Sequence, residues 1–212
     1  MERSTSKYFA VTQAALCLVA SLVLVTPARR VAQAAEGPRD VVSKAADTVV
    51  GILADKGLTA DQKRAKIEGV ADEYFDFETL SRLVLARHWK ELNPEQQKQF
   101  VTEFRRHLSM TYGKNVEKYN NEKAVITGDR DEKDNDWTVN TKVVRVNAEP
   151  FIVDYRLRKR DDKWMVIDVV IEGVSLVANF RSQFQEIVTR DGPVKLIEIL
   201  RDKNDKGEPL KS

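Results

Sequence analysis

The sequence predicts an α+β fold: helices first, then a meander of four antiparallel strands, then two closing helices. Two observations carry this. Up to about residue 120, and again after residue 175, apolar residues recur every three or four positions, the period of a helix buried on one side. Between those limits they alternate or cluster in short runs. Only a few residues separate the runs (DEKDND, NAEP and DD), and connections that short join antiparallel neighbours.

The elements follow in order. Over residues 39–56, Val42, Ala45, Val49, Ile52 and Leu53 share a helical face, and Gly57 stops that helix. Thr59-Ala60-Asp61-Gln62 reads as a capping box for a second helix carrying Ile67 and Val70. Asp76 caps a third, FETLSRLVLARHW, with Leu80, Leu83 and Val84 inward. Asn93-Pro94-Glu95-Gln96 opens a long fourth helix with a cap, a proline in the first turn and acids at the positive dipole end. Strands are predicted at 124–127, 137–146, 151–160 and 164–171. Ser175 caps a helix with Leu176, Val177, Phe180, Phe184, Ile187 and Val188 on one side. Asp191-Gly192 ends it, Pro193 starts another, and a loose charged tail is expected over 202–212.

The last strand raises a question of packing. Met165, Ile167, Val169 and Ile171 alternate with Trp164, Val166, Asp168 and Val170, so both faces are apolar apart from one acid. Either helices fill the space on both sides, or a hollow is left between sheet and helices.

The first 34 residues stand apart. Arg3 and Lys7 precede an apolar run at 14–25 (AALCLVASLVLV), and Ala32-Gln33-Ala34 follows as a cleavage site. This is the layout of a secretory signal peptide; the run is too short to span about 30 Å of hydrocarbon. The expected organisation is therefore a cleavable signal peptide at 1–34 and one domain at 35–201. Within that domain, 37–119 is helical, 123–171 forms the sheet and 175–201 forms the closing helices. Cleavage removes Arg3, Lys7, Arg29, Arg30 and Glu2, so 35 basic and 33 acidic residues become 31 and 32, a formal charge of −1. That balance gives no electrostatic basis for nucleic-acid binding. Cys17 is the only cysteine and falls inside the signal, so the mature chain has neither disulfides nor thiol chemistry.

Catalytic signatures are missing. There is no glycine-rich phosphate loop, no HExxH and no nucleophile elbow, and His88 and His107 read as isolated surface residues. No metal site or cofactor is expected. One pair merits attention: Asp168, the lone acid in its strand, and Tyr155 on the adjacent strand could transfer protons on a small apolar substrate. A structural role for Asp168 is the alternative.

Several segments resemble one family. The stretch YFDFETLSRLVLARHWKELNPEQQKQFVTEFRRHLSMTYGKNVEKY (74–119) and the stretch KWMVIDVVIEGVSLVANFRSQFQEIVTRDGPVKLIEIL (163–200) are similar to MlaC, the toluene-tolerance family. The resemblance covers roughly residues 37–200. Its most specific pieces are Phe75-Asp76-Phe77-Glu78 with Ser81-Arg82, Asn93-Pro94-Glu95-Gln96 with Phe100 and Phe104, and the run from Val166 to Leu176. It implies a four-stranded antiparallel NTF2-like sheet wrapped by six to seven helices around an apolar lipid pocket. It also implies a soluble, monomeric periplasmic carrier of phospholipid. Such a carrier exchanges lipid with an outer-membrane lipoprotein–porin complex and an inner-membrane ABC transporter complex bearing an MCE-type subunit, and so maintains outer-membrane lipid asymmetry.

The apolar patterns and the resemblance together give candidate lipid-lining residues. They are Phe75, Leu80, Val84, Phe104, Leu108, Tyr112, Val139, Val143, Phe151, Val153, Tyr155, Val166, Val169, Ile171, Val174, Val177 and Phe180. Arg82, Arg145 and Arg181 are candidates to meet a headgroup at the pocket mouth. Two other classes remain open at this level: an NTF2-like enzyme using Asp168 and Tyr155, and a periplasmic interaction module with a filled core.

Overall fold

The structure is a computed structural model that describes residues 36–113 and 119–210; the expected signal peptide lies outside the described residues. Five α-helices and five strands make up the described part, and the chain order is helices, sheet, helix, as an α+β fold requires. The helices are α1 (Pro38–Ala54), α2 (Ala60–Tyr74), α3 (Phe77–Leu85), α4 (Pro94–Gly113) and α5 (Leu176–Lys206). α3 ends where Ala86 turns to φ 50°, and a 3-10 segment, Ala86–Glu91, follows it.

The helix starts are set by the residues that cap them. Thr59 Oγ1 accepts from Gln62 N while Gln62 Oε1 accepts from Thr59 N. Asn93 and Gln96 make the same reciprocal pair at the start of α4. Asp76 accepts from Thr79 N and Thr79 Oγ1 and pairs with Arg160, which enters from the sheet. Ser175 Oγ accepts from Ala178 N at the start of α5. The two expected closing helices run end to end as one element with a kink where the sequence places the break: Gly192 (φ 80°) is non-helical ahead of Pro193, and the chain then continues helically to Lys206. Five α-helices therefore stand where six to seven were expected. Residues 202–206 are helical, not loose, because Asn204 binds Glu103 and contacts His107.

The sheet is open and antiparallel, in the order β1 (Lys123–Asp131), β2 (Asp136–Arg145), β3 (Ala148–Arg160), β4 (Lys163–Ile171) and β5 (Val174–Ser175). It has five strands, not four: the short β5 pairs Ser175 with Val170 and Val174 with Ile171. β1 also runs beyond the predicted 124–127. Its charged second half carries no strand signal in sequence, yet Asp129 is held there by Arg39 of α1 and by Trp137 Nε1.

The register of β4 settles which face is dry. Arg156 pairs with Asp168, but Leu157 pairs with Val166, so a β-bulge sits at Ile167. One extra residue flips the alternation. Trp164 and Val166 therefore share a face with Val169 and Ile171, opposite Leu157, Tyr155 and Val153. Strict alternation assigns those residues to opposite faces; the bulge is why β4 looks apolar on both.

Two cores result. Val41 and Val42 of α1 cover the dry face of the sheet, packed with Val139, Val153, Leu157, Val166 and Val169. The second core lies among α3, α4 and α5, where Phe104 meets Phe100, Phe180 and Phe184 at centroid distances of 5.6, 5.1 and 5.5 Å. His107 belongs here rather than at the surface: it is 2% exposed, edge-on to Phe180, with Nδ1 3.2 Å from Asn204 Oδ1.

Burial pulls the His107 imidazole below its ordinary value, against the opposing Asn204 contact. The unfolded chain then takes up this proton first as pH falls. Stability should therefore drop as pH passes below ~6.5, by at most about 1.4 kcal/mol per pH unit, until the folded form also protonates. Urea denaturation between about pH 7.5 and 5.5 measures this slope, and His107→Gln should flatten it.

Candidate functional site

The dry face of the sheet is not fully covered by packed side chains. Two cavities lie under the helical layer. The first, about 290 Å³, is bounded by α2, α3, α4, the end of β4 and the start of α5. Its apolar lining includes Ile67, Ala71, Phe75, Phe77, Leu80, Leu108, Tyr112, Val169, Ile171 and Leu176. The second, about 370 Å³, lies between α1, α2 and the sheet, with Val42, Val49, Leu53, Val70, Val143, Tyr155 and Val166 among its walls. Ile67, Ala71 and Phe75 line both, so a single ridge of α2 and its C-terminal end divides them. Each volume is near the lower end of the ~300–1,000 Å³ typical of ligand pockets.

The dividing helix is unusual. None of the fifteen residues of α2 is fully buried, although Ile67, Val70 and Ala71 point inward. They face space, not side chains. The same holds for Ala45, Ala46, Val49 and Val50 of α1, which are half-buried on the helix's inner side. The aliphatic part of these walls offers no polar partners to hold water and suits an apolar occupant.

Nine sequence candidates line these cavities: Phe75, Leu80, Leu108, Tyr112, Val143, Tyr155, Val166, Val169 and Ile171. The others line neither. Val84, Phe104, Val177 and Phe180 are packed in the helical core. Val139 and Val153 fill the sheet core, and Phe151 packs partly against it beneath the Arg145 guanidinium. Val174 is 61% exposed. The proposed mouth arginines are also elsewhere. Arg82 pairs with Glu78, while Arg145 and Arg181 donate to the carbonyls of Glu149 and Leu83. The arginines that line these two cavities are Arg64 and Arg105, both at the first.

Asp168 and Tyr155 do not converge. Tyr155 faces the second cavity, where burial pushes its hydroxyl above the ordinary range. Asp168 sits on the opposite face of the sheet, 1% exposed. Its carboxylate accepts from Val169 N at 2.9 Å, Ser175 Oγ at 2.6 Å and Val177 N at 3.0 Å. That arrangement ties β4 to the N-terminus of α5, where the helix dipole favours an anion. Asp168→Ala should therefore destabilise by about 2–4 kcal/mol, since a buried hydroxyl and two amides lose an ionised acceptor. Urea denaturation of the variant measures this cost. Stability equal to that of the wild type would contradict the structural role.

Among the described residues, no group of three or more His, Cys, Asp or Glu side chains is placed to hold a metal, and no helix is long and apolar enough to cross a membrane.

Fold and cavities together define an α+β domain whose helices and sheet enclose divided apolar space. The family described as MlaC protein matches residues 43–202, and the chain belongs to that family. The toluene tolerance protein ttg2D of Pseudomonas putida is 25% identical over 179 residues, spanning 81% of this chain and 82% of that protein. The phospholipid-binding protein of Ralstonia solanacearum, solved in complex with a phospholipid, aligns with a TM-score of 0.70 at 28% identity. That alignment covers 79% of this chain and 96% of the other.

Proposed function

We propose that this protein is a periplasmic phospholipid carrier, with acyl chains seated in the cavities on either side of α2. The observation that carries the reading is the divided apolar space itself, faced by half-buried aliphatic residues of α1 and α2 that belong to neither packed core. The phospholipid held by the Ralstonia protein of similar fold supports it.

Energetics favour this construction. Two acyl chains with ~30 methylenes gain on the order of 24 kcal/mol on leaving water, at about 0.8 kcal/mol each. A bilayer provides nearly the same gain. A carrier that must both accept and release lipid needs an interior comparable to a membrane, and aliphatic walls with few polar anchors meet that need. Residues 1–34 act as the export signal in this reading. The carrier works as a monomer between an outer-membrane lipoprotein–porin complex and an inner-membrane ABC transporter complex with an MCE-type subunit. No observation favours a catalytic alternative over this one.

Transfer of fluorescent phospholipid from donor to acceptor vesicles tests the proposal. The purified mature protein should raise the transfer rate in proportion to its concentration. Transfer no faster than vesicles alone would overturn it.

A further inference from the structure

The first cavity has a polar edge with a definite pattern. On α2, Arg64, Glu68 and Asp72 follow one another at four-residue spacing along one face; on α4, Arg105, Ser109 and Gly113 do the same. The two rows meet. Asp72 accepts from Arg105 at 2.5 Å, and Glu68 accepts the Ser109 hydroxyl. The Arg64 stem lies over Gly113, where an added Cβ would come within 3.2 Å of its Cδ. Two guanidinium groups therefore face two carboxylates along the seam, with Asp61 a further acid beside Arg64.

We propose that this seam is the headgroup site of the bound lipid, and that it selects zwitterionic headgroups, which join a phosphate to an ammonium. The inference rests on the carrier reading above and goes beyond it. An amphiphile with its chains in the first cavity must place its polar end where the lining is polar. That lining is Arg64, Glu68, Arg105 and Ser109. The existing pairs yield readily. Asp72 and Arg105 are 47% and 41% exposed, and the Asp61 that pairs with Arg64 is 88% exposed. Exposed pairs contribute only about 0–1 kcal/mol, so exchanging partners costs little. A phosphate matches the guanidinium fork, and the ammonium takes the carboxylate released from it. Arg105 stays in place for this exchange, with its guanidinium 5.8 Å above the Phe77 ring. A headgroup of net negative charge would satisfy the arginines but leave Glu68 and Asp72 beside a like charge, which selects against it.

The test loads delipidated mature protein from vesicles holding equal amounts of phosphatidylethanolamine and phosphatidylglycerol. The protein is then re-isolated and its lipid quantified by mass spectrometry. The wild type should hold the ethanolamine lipid in about fivefold excess, equivalent to about 1 kcal/mol. Glu68→Gln combined with Asp72→Asn should move that ratio toward phosphatidylglycerol. Arg64→Gln combined with Arg105→Gln should remove the preference and lower the total lipid retained. Melting curves report the fold of each variant, and the wild-type ratio alone decides the preference should one fold poorly. Equal proportions in the wild type, unmoved by neutralising the acids, would overturn the headgroup site and leave lipid carriage standing. A protein that takes up neither lipid would overturn the carrier reading and the headgroup site with it.

Discussion

Replacing Ala71 with tryptophan is expected to reduce bound lipid about a hundredfold while leaving the fold intact. Ala71 lines both cavities, so an indole there occupies space on either side of the α2 ridge. If it forces about four methylenes of the cargo back into water, the carrier loses about 3 kcal/mol relative to the bilayer, near a factor of one hundred. The fold should not suffer. The position is half-buried and faces a void, and filling a void commonly stabilises. Lipid extracted per mole of protein, together with a melting curve, reads both effects. Wild-type lipid content in a folded Ala71→Trp protein would move the cargo out of these cavities.

Phe104→Ala should do the opposite. Phe104 is 0% exposed and packed against three other phenylalanines, away from either cavity. Deleting it removes a buried ring and leaves a hole, at a cost of about 3–5 kcal/mol. For a domain of this size that lowers the melting temperature on the order of 10 °C. Lipid content at low temperature should remain close to that of the wild type. A normal melting temperature with lipid lost would return Phe104 to the pocket wall, where its pattern in the sequence first placed it.

The two substitutions mark where sequence was informative and where it was not. Helix starts were legible because a cap is a local event: Thr59 with Gln62, Asp76 with Thr79 and Asn93 with Gln96 each lie within one turn. The dry faces of β2 and β3 were legible because their alternation is unbroken from Trp137 to Val143 and from Phe151 to Leu157. β4 was not, since the bulge at Ile167 changes face within a run that is apolar on both sides apart from Asp168, so residue type does not mark the change. Filled and hollow interiors also look alike in sequence. Phe104 and Phe180 have the aromatic pattern of a pocket wall but pack as core. Ala45, Val49 and Val70 have the pattern of an ordinary helix face but border open space. The one weak signal was the thin stripe of α2, too sparse to account for a helix held only by packing. Arg64 and Arg105 carried no signal, because their position depends on how α2 and α4 are rotated against each other.

Whether the divided apolar space holds phospholipid is decided by native mass spectrometry of the mature protein, purified from periplasm without detergent. A stoichiometric adduct with the mass of a phospholipid, identified after extraction, is the expected result. An apo mass that stays unchanged after incubation with phospholipid vesicles would overturn lipid carriage.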